Sequence, residues 1–234
     1  MPPIFPILAL GLGVLVSGYL FIDWIRHGRR SRVFLYWALA LFLIYWFQVP
    51  VILTSLGRTV TVPDFNVFFA LALPITFLAL VLIYWGVLDA LRIRLTPRAK
   101  ALFGLWFLSA LIFFGYHFIV RGGIIETYAL PLAGNVVFYL PIRLLIIATL
   151  ARWLLRRTSS ALYGILGASG VIGESVLGLV RNFLIVKNVL IYPPQLWYLV
   201  LSSLEIFFIL QTAGIILLVM GFFFFHRMHY RTLL

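Results

Sequence analysis

Residues 161–187 read ALYGILGASGVIGESVLGLVRNFLIVK. As a helix rising 1.5 Å per residue, this stretch is about 40 Å long, more than the roughly 30 Å hydrocarbon core of a bilayer. It is apolar enough to cross a bilayer and unusually rich in glycine. At heptad spacing Gly164, Gly167, Val171, Glu174, Gly178 and Arg181 fall along one seam. Small residues on a seam let a second backbone come close. A carboxylate on the same seam, far from either end, needs a partner.

The rest of the chain has the same character. Of 234 residues 64% are hydrophobic and 10% charged, and the mean hydropathy is +1.14. Soluble domains average about 25% charged residues, so this chain cannot clothe a surface in water. The expected fold class is an all-α integral membrane bundle of seven transmembrane helices, with no separate soluble domain. The approximate spans are 4–24, 33–56, 65–91, 101–120, 128–155, 161–187 and 196–225. The opening residues MPPIFPILALGLG lack a positive n-region and lead directly into a full span, which reads as a retained first helix. Cysteine is absent, which removes disulfides, thiolate metal sites and cysteine nucleophiles.

The charges alternate by side. Of the 18 Lys and Arg, 13 lie in the first, third and fifth loops and the tail. The opposite side holds only Arg58, Arg121, Arg181 and Lys187, and Arg143 lies within a span. The positive-inside rule therefore places the N-terminus outside and the C-terminus in the cytoplasm, as a multi-pass protein of a prokaryotic cytoplasmic membrane. The net charge of +12 is divided among these short clusters and builds no water-exposed basic face for nucleic acid. Its expected partners are the lipid bilayer and, at the basic inner face, anionic lipid or a cytoplasmic or membrane protein.

Three charges sit at membrane depth, where each costs at least about 2.5–3.5 kcal/mol. Arg143 lies roughly 18 Å below the outer end of the fifth span, and Glu205 roughly 13 Å into the seventh. Glu174 lies roughly 21 Å above the inner end of the sixth, which puts all three in the outer half. Arg143 is expected to pair with Glu174, Glu205 or both, with Arg181 as a competing partner two turns along the seam. Together Arg143, Glu174, Glu205 and Arg181 form the expected ion-pair network, which serves either a ligand or helix register alone.

A candidate ligand site groups Glu174, Glu205 and Arg143 with Gln48, His117 and Tyr198. Tyr198, Ser202, Glu205 and Thr212 share a face of the seventh span. Trp37, Tyr45, Gln48 and Ser55 roughly share one on the second, and Trp106, Phe113 and His117 form a stripe on the fourth. The competing expectation is that these aromatics pack the bundle or form interfacial belts. Pro50, Pro74 and Pro141 are expected to kink their spans.

No cofactor or metal is expected. A retinal Schiff base needs a lysine in mid-membrane, and Lys100 and Lys187 stand at span ends. A bis-histidine haem needs two facing histidines, and only His117 lies within a span; HRMHY in the tail reads as a headgroup anchor. No catalytic motif is present. Pro74 within ALALPITFLALVLIYWG, followed by Arg94-Leu-Thr-Pro-Arg98, resembles the seven-helix N-terminal sensor region of bacterial histidine kinases. The sequence ends nine residues after Phe225 without a kinase domain, so the resemblance implies a sensing or binding module with a separate output partner. The expected function is non-enzymatic sensing or binding of a small ligand or lipid in the outer half of the bundle. Alternatives are a small-solute transporter and an accessory subunit of a larger membrane complex.

Overall fold

A computed structural model describes residues 4–26, 32–44, 62–119, 129–156, 162–193 and 205–231, with short pieces at 49, 52–53 and 56–57. Among the described residues all regular structure is helical. We number the helices α1 (Ile4–Arg26), α2 (Arg32–Leu43), α3 (Val62–Ala90), α4 (Pro97–Ile119), α5 (Ala129–Leu155), α6 (Leu162–Ile191) and α7 (Glu205–Arg231). Six of them, all but α2, are long and apolar enough to cross a membrane. At 12 residues, α2 is about 18 Å long, short of a full hydrocarbon core. Of the second expected span, 33–56, residues 33–43, 49 and 52–53 are helical, and Gln48 and Pro50 lie outside the described residues.

Around the bundle, α1 touches α2, α2 touches α3, α3 touches α5, α5 touches α6, α6 touches α7, and α7 returns to α1. The remaining helix, α4, lies outside this ring against α3 and α5. Its only buried residues are Ala110 and Phe114, so most of its apolar side chains face outward, as lipid solvent permits. Rings from three helices knit it on. Phe77 of α3 lies 5.2 Å from Trp106, 6.1 Å from Phe114 and 5.7 Å from Phe138 of α5.

The turn from α3 to α4 explains the Arg94–Arg98 motif locally. Ile93 N donates to Leu88 O at 2.8 Å and Arg92 N to Asp89 O at 3.0 Å, closing the end of α3 as a Schellman motif. Arg92 occupies its left-handed position, at φ 54°, where glycine is usual. Thr96 then caps α4 by accepting from Ala99 N at 3.2 Å, and Pro97 takes the first helical position, whose N–H would be unpaired anyway.

The tightest contact is between α6 and α7. A Cβ on Gly170 would lie 2.6 Å from Leu217 O and 2.8 Å from Gly221 N; one on Gly221 would lie 3.0 Å from Gly167 O. The two backbones touch because neither side carries a side chain there. Since Gly167 meets Phe225 and Gly173 meets Leu217, the helices run antiparallel. By contrast α1 and α7 run parallel: Thr212 Oγ1 donates to Phe5 O at 3.2 Å near one end, and His226 bonds Asp23 at 2.9 Å near the other.

Candidate functional site

The site begins with an irregularity in α5. Residues Ala133–Tyr139 form a π-helical segment, in which Leu140 N–H reaches back five residues to Asn135 O. Pro141 follows directly and has no N–H to return to Val137 O, one turn below. The indole of Trp106 on α4 donates to that carbonyl at 3.2 Å. Asn135 Nδ2 donates to Pro131 O at 2.8 Å, and Tyr139 Oη donates to Leu73 O of α3 at 2.6 Å, beside Pro74. The wide turn is thereby tied to α3 and α4 by side chains. One turn beyond Tyr139, Arg143 enters the bundle and is 2% exposed.

Arg143 points at α6, where the seam holds Glu174, itself 1% exposed. A single nitrogen, Nη1, donates to both carboxylate oxygens at 3.0 Å. From two turns along α6, Arg181 Nη2 donates to Glu174 Oε1 at 3.4 Å. The guanidinium of Arg143 rests on Gly178, where a Cβ would collide with it. The glycine seam therefore serves two neighbours: Gly167, Gly170 and Gly173 admit α7, and Gly178 admits the arginine. On the α7 side Gly214 faces Glu174, its Cβ position lying 3.6 Å from Glu174 Cγ.

Further buried polar side chains lie on the same stretches of α6 and α7. Ser175 is 0%, Asn182 8% and Gln211 1% exposed. Ser175 follows Glu174, and Asn182 sits one turn beyond Gly178 on its face. Gln211 sits one turn from Gly214, towards the start of α7, at the level of Gly178 in the antiparallel pair. Among the described residues, Ser175 Oγ, Asn182 Nδ2, both amide atoms of Gln211 and Arg143 Nε have no hydrogen-bond partner.

The expected ion-pair network thus assembles as Arg143, Glu174 and Arg181, without its fourth member. Glu205 is exposed in the first turn of α7. Residues 194–204, which include the first part of the expected seventh span, lie outside the described residues. Gln48 and Tyr198 lie outside the described residues, as do Tyr45, Ser55 and Ser202. His117 is on α4, half-buried 4.6 Å from the Phe113 ring, on the helix that packs against α3 and α5 rather than α6. Of the six residues expected to form the ligand site, Arg143 and Glu174 meet, and with Gln48 and Tyr198 outside the described residues the full set is not seen.

Trp37 is also a packing residue. It is fully buried, stacks on Phe222 at 4.4 Å between centroids with a 6° interplanar angle, and seats its indole on Gly86. The tail histidine expected at the headgroups is inside the bundle: His226 is 7% exposed, bonded to Asp23 and 4.8 Å from the Phe34 ring. Asp23 was missed because a carboxylate three residues before a basic loop reads as an ordinary interfacial charge. Gln211, Asn182 and Ser175 were missed for lack of charge. Their signal was spacing, since Ser175 and Asn182 are seven apart on α6 and flank the charged seam.

No protein-family model, curated protein or solved structure matches this chain. Fold and site define its class by themselves: a helical, multi-pass integral membrane protein with a polar cluster enclosed between α5, α6 and α7.

Proposed function

We propose that this protein is a non-enzymatic membrane module that senses or binds a small ligand or lipid at the Arg143–Glu174–Arg181 cluster. The observation that supports it is the surplus of polar groups. A register-fixing ion pair needs one cation, one anion and satisfied lone pairs, because each orphaned buried group costs about 1–3 kcal/mol. Here two arginines address one carboxylate, and uncharged buried side chains with unmade hydrogen bonds lie on the same stretches of α6 and α7. The π turn four residues before Arg143 supports it further, since such turns recur at functional sites.

In this reading the chain crosses the membrane seven times with its N-terminus outside. The parallel course of α1 and α7 is what an up-and-down bundle of seven passes requires. The cluster then lies in the outer half, and the basic loops and tail face the cytoplasm, where anionic lipid or a partner protein reads the bundle's state. The test is mass spectrometry of small molecules and lipids retained after mild purification, from the wild type and from the charge-neutral Arg143→Gln/Glu174→Gln double variant. A molecule held by the wild type and lost from the variant supports binding here; identical contents in both refute it.

Small-solute transport is the second reading, favoured by the break in α5. A π segment followed by Pro141 beside an intramembrane arginine resembles the discontinuous helices of transporters. Counterflow in proteoliposomes would separate transport from sensing.

A further inference from the structure

The polar groups of the cluster carry chemical information beyond the existence of a site. Resting on the binding reading above, we infer that the ligand group this cluster takes is an oxyanion, a carboxylate or phosphate.

Three observations lead there. The first is how Arg143 uses its guanidinium. It reaches both oxygens of Glu174 through Nη1 alone, at 3.0 Å each, and its Nε has no partner. A guanidinium holds a carboxylate or phosphate best through two parallel N–H groups. Arg143 is engaged by one corner, so an N–H of another edge is left for a second acceptor while Glu174 stays bound.

The second is the balance of donors and acceptors. On the stretches of α5, α6 and α7 around Arg143 and Gly178 the unpartnered atoms include Arg143 Nε, Asn182 Nδ2, Gln211 Nε2, Gln211 Oε1 and Ser175 Oγ. Three are N–H donors, one is a hydroxyl that donates or accepts, and one is an acceptor. A donor-rich set is completed by a ligand rich in acceptors. A cation would find the one carboxylate, Glu174, already held by two guanidinium groups and otherwise meet one amide oxygen and one hydroxyl, which is the wrong chemistry. A neutral alcohol or amide has too few acceptor lone pairs for three N–H groups.

The third is charge and placement. Among the described residues the cluster holds two arginines and one glutamate. Arg143 and Glu174 are 2% and 1% exposed, whereas the Arg181 side chain is 10% exposed. Arg181 therefore marks the side from which the cluster is reached, and Gln211, one turn from Gly214, is the inward wall contributed by α7. An arriving anion would meet Arg181 first and settle beside Arg143, without displacing Glu174 from α6.

Such a group reaches the site either on an anionic lipid or free in solution. Wild-type protein in neutral detergent is titrated with inorganic phosphate and with acetate, and in parallel reconstituted into nanodiscs of phosphatidylcholine with or without phosphatidylglycerol. Thermal stability and native mass spectra are read. Stabilisation by phosphate or acetate identifies a soluble oxyanion; stabilisation and retained adducts only with phosphatidylglycerol identify a lipid. Gln211→Leu and Asn182→Leu leave the Arg143–Glu174–Arg181 pairs intact and are expected to fold. Each should weaken the effect roughly tenfold, the scale of one hydrogen bond to a charged group.

If neither oxyanion nor anionic lipid has any effect, but a neutral or cationic molecule is retained by the wild type and lost from Arg143→Gln/Glu174→Gln, the ligand class is overturned and the binding site survives. If nothing is retained and both leucine variants are simply more stable, the site itself is overturned, and the cluster serves only to hold helices.

Discussion

Replacing Gly170 with alanine places a methyl group where α6 and α7 touch backbone to backbone. The new Cβ would stand 2.6 Å from Leu217 O, 2.8 Å from Gly221 N and 2.9 Å from Gly221 Cα. Carbon pairs are comfortable at about 3.5–4.0 Å, so the last contact is short by about 0.6–1.1 Å. All three neighbours are main-chain atoms of a helix and cannot rotate away. The helices must separate, at the expense of the contacts that flank Gly170, and overpacking of this kind costs about 1–3 kcal/mol. Alanine also gains about 0.5–1 kcal/mol over glycine in a helix interior, in the opposite direction. Gly104 of α4 supplies the reference, because a Cβ there meets nothing within 4 Å. Unfolding free energies of both variants, measured by steric trapping in lipid bicelles, should differ by about 1–3 kcal/mol, with Gly170→Ala the less stable. Equal effects, within about 0.5 kcal/mol, would refute the backbone contact and with it the reason for glycine on that seam.

Glu174→Gln leaves Arg143 buried without its counter-charge and should cost about 3–5 kcal/mol in the same assay. The Arg143→Met/Glu174→Leu pair should recover most of that loss, with Arg181 left to extend outward along its apolar stem; no recovery would mean that the charges hold the fold in some other way. Trp37→Ala removes a fully buried indole from Phe222 and Gly86 and should destabilise by about 3–5 kcal/mol, visible as a lower melting temperature. Arg92→Gly should raise stability by about 0.5–1 kcal/mol, since the left-handed turn costs an arginine about 1–2 and glycine's freedom in the unfolded chain returns part of it. Asp23→Leu breaks the bond to His226 and should cost about 1–3 kcal/mol; a melting curve superimposable on the wild type would show that the pair contributes nothing.

Composition and periodicity determine the solvent and hence the class of fold. A chain 64% hydrophobic, with a glycine-rich apolar run at residues 161–187, has only helices available to satisfy its backbone in lipid. The contact of Glu174 with Arg143 was legible for a similar reason: so few charges lie at depth that each has few partners to choose from. That Glu205 stands exposed in the first described turn of α7, apart from the pair, is not something its spacing announces. The π turn was equally invisible, because Pro141 announces a missing hydrogen bond without saying whether the helix bends or widens. Which glycines admit a helix and which admits an arginine is a matter of the neighbour's identity. Gly170 and Gly178 lie on one helix in the same small-residue pattern, and only tertiary packing gives the first a backbone and the second a guanidinium. The uncharged groups at Ser175, Asn182 and Gln211 likewise acquire their meaning from α6 and α7 meeting antiparallel, since no spacing along one chain reports what lies across a helix interface.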